Sequence, residues 1–188
     1  MRKPALFLDR DGTLIKDNGY IKDIKKVVFY PFTFDALREL QKKYLLFIVT
    51  NQAGVGKGLI TMQEMESVNH YILDQLQKQQ IHISKVYICP HKKEDLCDCR
   101  KPKPYFIDQA CNECEIDLSQ SFVIGDHPSD MELGINRNVK GIYLLTGHGR
   151  KHYKELETLP TNSYSVYKSL PFFVKSIHDR NHSQKTIY

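Results

Sequence analysis

Five short stretches of this chain are apolar at nearly every position: ALFL at 5–8, YLLFIVTN at 44–51, SKVYICP at 84–90, SFVIGD at 121–126 and GIYLLTG at 141–147. A strand with one face in water alternates apolar and polar residues, whereas a strand apolar throughout must be covered on both faces. Helical patterns fall between these runs. Phe34, Leu37 and Leu40 recur at helical spacing within 33–43, with Thr33 as the expected cap. Thr61 and Glu64 have capping-box spacing ahead of a stripe of Met65, Val68, Ile72 and Leu76. Residues 105–114 are expected to form a helix, and Ser129, with Glu132 three residues on, to cap a short one. A last short strand and a helix from near Ser169 are expected within 163–178, and a frayed end over NHSQKTIY. Residues 12–31 are expected as a loop with a small extended piece at KKVVFY. The alternation predicts an α/β fold, three layers deep, with a mainly parallel sheet. The 188 residues suit one domain, 1–188, and no repeat or Pro/Ser-rich linker divides them.

In such folds ligands bind beyond the carboxyl ends of the strands. Asp9 with Asp11, Thr50 with Asn51, Cys89 with His91, and Asp126 all fall there. Asp9 is held rigidly at a strand end, and Asp11 can return to the same side as the chain turns through Gly12. One carboxylate can attack phosphorus while its neighbour exchanges protons with the leaving group. With a third acid, Asp126, they also make a site for a hard cation, and Asp130 adds a fourth acid nearby. A solvated turn with incidental acids is the alternative, weakened by acids at a second strand end. Thr50 and Asn51 can hold phosphoryl oxygens or merely satisfy a turn. GVGKG at 54–58 is neither a Walker A loop nor a dinucleotide fingerprint, so its glycines are expected to let the backbone approach a ligand or the next helix. Lys57 there is a substrate contact or a solvent-exposed residue. Arg100 and Lys101, in CRKPKP, can clamp and neutralise anionic groups or be ordinary surface charge; Pro102 and Pro104 stiffen the segment.

CPHKKEDLCDC supplies Cys89, His91, Cys97 and Cys99, two closely spaced pairs joined by five residues. Three thiolates and an imidazole suit a closed tetrahedral zinc site with a structural role, although the one-residue spacing within each pair is tighter than in zinc fingers. Reactive thiols or a disulfide are the alternatives. Cys111 and Cys114 are expected as half-buried helix residues rather than a redox pair.

The net charge of +5 fits an anionic substrate and equally an ordinary surface. No arginine-rich run points to nucleic acid. The N-terminal apolar run is far too short for a signal peptide or a membrane span, so a cytoplasmic location and no membrane partner are expected.

FLDRDGTLI, IVTNQ, CRKPKP and VIGDHPSDMELG resemble, in order, the four motifs of the haloacid dehalogenase-like (HAD-like) phosphatases. ICPH and CDCRKPKP resemble the zinc-bearing subgroup, which includes heptose 1,7-bisphosphate 7-phosphatases and histidinol-phosphatases. The resemblance covers about residues 5–148. It implies a Rossmann-like core, essentially capless, with the zinc loop 89–99 over the site. It makes Asp9 the nucleophile, forming an aspartyl-phosphate, and Asp11 the general acid and base. Mg2+ would be held by Asp9, the backbone carbonyl of Asp11, and Asp126, with Asp130 in support, and Zn2+ by Cys89, His91, Cys97 and Cys99. Thr50 and Lys101 would bind the transferring phosphoryl group, and Asn51, Gln52 and Arg100 the rest of the substrate. The loop at 17–31 and AGVGKG resemble heptose phosphatases, and D-glycero-D-manno-heptose 1,7-bisphosphate is the favoured substrate. Histidinol-phosphate or another small phosphomonoester is the alternative; a phosphotransferase and a non-catalytic zinc-stabilised binding module stand further off. A monomer is expected. His127 departs from the lysine common at that position in heptose enzymes, and the tail after 147 follows neither pattern.

Overall fold

The structure is a computed structural model and describes the backbone of residues 2–185 and the side chains of residues 2–179. Six strands form one sheet: β1 (Ala5–Leu8), β2 (Leu45–Asn51), β3 (Lys85–Cys89), β4 (Phe122–Gly125), β5 (Lys140–Leu144) and β6 (Tyr164–Tyr167). Their order is β3-β2-β1-β4-β5-β6, and every pairing is parallel. The order reverses beside β1, which pairs with β2 on one side and β4 on the other. Such a switch point opens a crevice beyond the strand ends.

The two-residue period of a strand sorts its side chains to opposite faces. Leu6, Leu8, Leu46, Ile48, Ile124 and Ile142 pack on one face against helices α1 (Thr33–Leu40), α3 (Met62–Lys78) and α6 (Leu170–Lys185). Ala5, Phe7, Phe47, Val49, Tyr87 and Val123 pack on the other against α4 (Tyr105–Glu113) and α5 (Pro128–Ile135). Each fully buried Leu, Ile or Phe contributes about 1.5–3 kcal/mol, so continuously apolar strands and two helical layers require each other. Between β1 and α1 lies only a short 3-10 turn at Ile24–Lys26, and between β2 and α3 only the four-residue helix α2 (Ala53–Gly56). The site therefore carries no separate cap.

Several local details differ from the sequence reading. Thr33 does not cap α1; its buried hydroxyl donates to Leu14 O at 2.7 Å and ties the helix to the loop after β1. Ser129 lies inside α5, whose cap is His127. The His127 ring accepts from Ser129 N at 3.2 Å, and Asp130 accepts from His127 N at 3.1 Å. KKVVFY forms no strand, and the loop makes only an isolated bridge there, Ile15 with Phe29. The backbone of residues 181–185 is helical rather than frayed, while 186–188 lie outside the described residues. The capping box of Thr61 and Glu64 is present, with bonds of 2.7 and 3.1 Å.

Candidate active site

The ladder that pairs β1 with β4 continues one residue beyond β1, because Asp9 N donates to Ile124 O at 2.8 Å. Asp9 is thereby fixed at the switch point. The chain then turns through Gly12, at φ +82°, a conformation that suits glycine. A Cβ there would also overlap the Asp126 carboxylate, so the turn lies directly against the end of β4.

Lys101 reaches this point from the loop after β3. Its ammonium is buried, 2.6 Å from Asp9 Oδ1 and 2.7 Å from Asp130 Oδ1, and donates to Val49 O at 2.9 Å. Asn51, at the end of β2, accepts from Lys101 N at 3.0 Å and donates to Lys101 O at 3.3 Å. The Asn51 side chain thus clamps the backbone that carries the lysine. Gln52 donates to both Asp11 Oδ2 and Thr50 Oγ1 at 2.8 Å, linking the acid to the strand-end hydroxyl. Asp9, Asp11, Thr50, Asn51, Gln52, Lys101, Asp126 and Asp130 therefore meet in one place. Arg100 does not touch the acids; it donates to His91 O at 3.2 Å and lines a cavity of about 360 Å³ that Asn51, Lys101 and His127 also line. Lys57 is exposed and bonds the Tyr20 hydroxyl at 2.9 Å.

Sequence reasoning passed over two members of this constellation. Arg10 is only 1% exposed and holds Asp11 through contacts of 2.9 and 3.1 Å, while donating to Asn69 Oδ1 of α3 at 2.6 Å. Their sequence signal is slight, an arginine between the two acids that follow an apolar strand and an asparagine within the apolar stripe of α3.

Burial governs the electrostatics. Desolvation raises the pKa of Asp9 to about 6, opposed by the Lys101 charge and reinforced by Asp130. Desolvation likewise raises Asp126 to about 8, with Asp9 and Asp130 adding to it. Asp11 is raised by the same cause, with Arg10 opposing. Carboxylate oxygens of Asp9, Asp126 and Asp130 lie within 4.8 Å of one another. Three acids so close and so poorly solvated, with a single lysine among them, are a donor set that fits a hard divalent cation, whose charge would remove the repulsion.

A second cluster joins the loop after β3. Sγ of Cys89 is 3.6 Å from that of Cys97 and 3.8 Å from His91 Nδ1; His91 Nδ1 is 3.3 Å from Cys99 Sγ, and Cys99 Sγ is 3.6 Å from Cys97 Sγ. Bonds of about 2.3 Å to one central ion give tetrahedral edges of about 3.8 Å, so these four groups fit a closed four-coordinate metal. Burial holds the Cys89 thiol well above its ordinary pKa, and a bound cation would be needed to keep it as thiolate. Gly56 N donates to Pro90 O at 2.9 Å, and a Cβ at Gly56 would crowd the backbone of Pro90 and Lys92. Gly56 of GVGKG thus serves a close approach to this loop, whereas Gly54 lies against Tyr20 and Ile60. Cys111 and Cys114 are half-buried at the end of α4, away from the acids.

The chain is similar to known proteins along most of its length. A protein of Helicobacter pylori strain J99, named D-glycero-beta-D-manno-heptose-1,7-bisphosphate 7-phosphatase, is 40% identical over 144 residues, 76% of this chain and 83% of its own. The HAD-hydrolase-like family profile matches residues 98–171. The chain belongs to the HAD-like hydrolase family. A Campylobacter jejuni relative, 38% identical over 80% of this chain and 87% of its own, carries the name of the alpha-anomer enzyme. The crystal structure of a D,D-heptose 1,7-bisphosphate phosphatase from B. bronchiseptica, complexed with magnesium and phosphate, superposes with a TM-score of 0.85 at 24% identity, covering 95% of this chain and 99% of that one. This member of the family is a phosphatase acting on a small phosphorylated metabolite. Among the described residues no helix is long and apolar enough to cross a membrane.

Proposed function

We propose that the chain, as one domain over residues 1–188, removes the 7-phosphate of D-glycero-D-manno-heptose 1,7-bisphosphate in a Mg2+-dependent reaction. The observation that carries the reading is the buried Asp9–Lys101–Asp130 contact at the switch point, in a chain whose relatives bear that name at 33–41% identity. Asp9 attacks the phosphorus and the sugar alkoxide leaves, taking a proton from Asp11, which burial keeps at a raised pKa. Asp11, now a carboxylate, takes a proton from water, and the resulting attack releases phosphate and restores Asp9. Lys101 and the Thr50 hydroxyl balance and hold the phosphoryl oxygens. Asn51 keeps Lys101 in place, and Gln52 holds Asp11 beside Thr50. Arg100, with the cavity beside it, meets the rest of the substrate.

Asp9, the carbonyl of Asp11 and Asp126 would hold Mg2+, supported by Asp130; the ion would supply charge that draws the phosphate to the acids. Cys89, His91, Cys97 and Cys99 would hold Zn2+, pinning the loop over the site. The protein is read as a cytoplasmic monomer with no nucleic-acid partner. The test is kcat/KM for both heptose bisphosphate anomers against histidinol-phosphate. A strong preference for one heptose anomer is expected, and a large preference for histidinol-phosphate would overturn the substrate assignment.

A further inference from the structure

β5 ends at Leu144, and the turn that follows makes an unusual set of contacts. Tyr143, wholly buried, donates its hydroxyl to Gly149 O at 2.9 Å, and Gly149 N closes the turn onto Thr146 O at 2.7 Å. From this anchored base Thr146 Oγ1 donates to Gly12 O at 2.6 Å. Gly147 N donates to the Tyr30 hydroxyl at 3.1 Å, and His148 N to Asp126 Oδ2 at 2.6 Å. His148 Nε2 lies 3.0 Å from Asp17 Oδ2. One short turn thus grips the loop after β1 at three points and the β4 carboxylate at a fourth. Gly147 has φ +48°, and a Cβ there would sit 2.5 Å from Gly12 Cα and closer still to Asp126 Oδ2. Gly12 and Gly147 therefore close on the same carboxylate from two loops, leaving no room for a side chain.

From this geometry we infer that the 146–149 turn is a positioning element for the divalent cation, with Gly147 required at its apex and Thr146 and the His148 N–H as its two grips. The His148 N–H occupies one oxygen of Asp126 and fixes the carboxylate plane, leaving the other oxygen for the ion. The Thr146 bond to Gly12 O holds the turn that carries Asp11 at a set distance from Asp126. Loss of a group that orients a metal-binding carboxylate in this way commonly costs about 10–100-fold in affinity. The inference rests on the Mg2+ reading above, and residues outside the four family motifs become part of the site.

The test is titration of zinc-loaded protein with Mg2+ by calorimetry, for wild type, Gly147→Ala, Thr146→Val and Thr146→Ser, alongside melting in magnesium-free buffer. Gly147→Ala is expected to weaken Mg2+ binding by about 10–100-fold. Thr146→Val should weaken it less, and Thr146→Ser, which keeps the hydroxyl, should restore it. An unchanged Mg2+ affinity in folded Gly147→Ala would overturn the inference. If that variant does not fold, unchanged affinity in Thr146→Val overturns it equally. Wild-type protein that binds no Mg2+ would overturn the metal reading and this inference together. Wild-type protein that binds Mg2+ but hydrolyses no heptose bisphosphate would overturn the substrate reading alone.

Discussion

At the scale of single residues, the site is a set of acids made costly by burial. Asp9→Asn keeps the shape and removes the nucleophile; turnover should fall by at least about a thousandfold, with zinc content and the far-UV spectrum unchanged. Retained activity would remove Asp9 from the chemistry. The acids also predict a pH effect on stability. Asp9 is raised to about 6 and Asp126 to about 8, both above their ordinary 3.8. The folded state therefore holds protons that the unfolded state releases between those values. Stability must fall as pH rises from about 4 to about 8, because buried carboxylates are forced to ionise. Magnesium-free protein should melt higher at pH 5.5 than at pH 8, and added Mg2+ should raise the melting temperature more at pH 8. The opposite trend would mean that the acids are not buried as described. Asp9 and Asp126 were legible because each ends an apolar run, where a charge has no packing reason to stand. Arg10 and Asn69 were not. An arginine after an acid looks like surface charge, and its burial follows only from the position of α3 behind it.

At the scale of elements, the strands were legible because being apolar throughout leaves one arrangement open to them. Caps were less so. Thr61 was found, but Thr33 and Ser129 were misassigned, since each hydroxyl or neighbour has a tertiary or local rival: Leu14 O for Thr33 and the His127 ring for Ser129. Thr61→Ala should cost about 1 kcal/mol on a denaturant curve and leave kcat unchanged, since α3 reaches the site through Asn69, well along the helix from its cap. The cysteine loop behaves as an element of its own. Its four ligands converge, with Cys89 in the core under the sheet and Cys97 and Cys99 against its edge, but the turn that joins them, Lys93–Asp95, is polar and Leu96 is exposed. Cys97→Ser should therefore release zinc, expose residues 89–99 to proteolysis and lower the melting temperature. Unaltered zinc content and melting would contradict a structural metal.

At the scale of the whole molecule, the sheet order explains why chemistry from residues 9 and 101 can meet. The reversal beside β1 gathers the ends of β1, β2 and β4 in one crevice, and the loop after β3 reaches back across β2 to deliver Lys101. Sequence motifs announced the participants but not the closure from the far side. The 146–149 turn arrives from β5, whose place next to β4 is a fact of sheet order rather than of any local pattern. The proposed reaction takes the 7-phosphate from a heptose bisphosphate with a metal's help. Phosphorus NMR of D-glycero-D-manno-heptose 1,7-bisphosphate incubated with the protein follows both phosphates at once. With Mg2+ present, the 7-phosphate signal should give way to inorganic phosphate while the 1-phosphate signal persists, and a chelator should halt the change. Loss of the 1-phosphate instead, or no loss of either from protein that binds Mg2+, would overturn the proposed reaction.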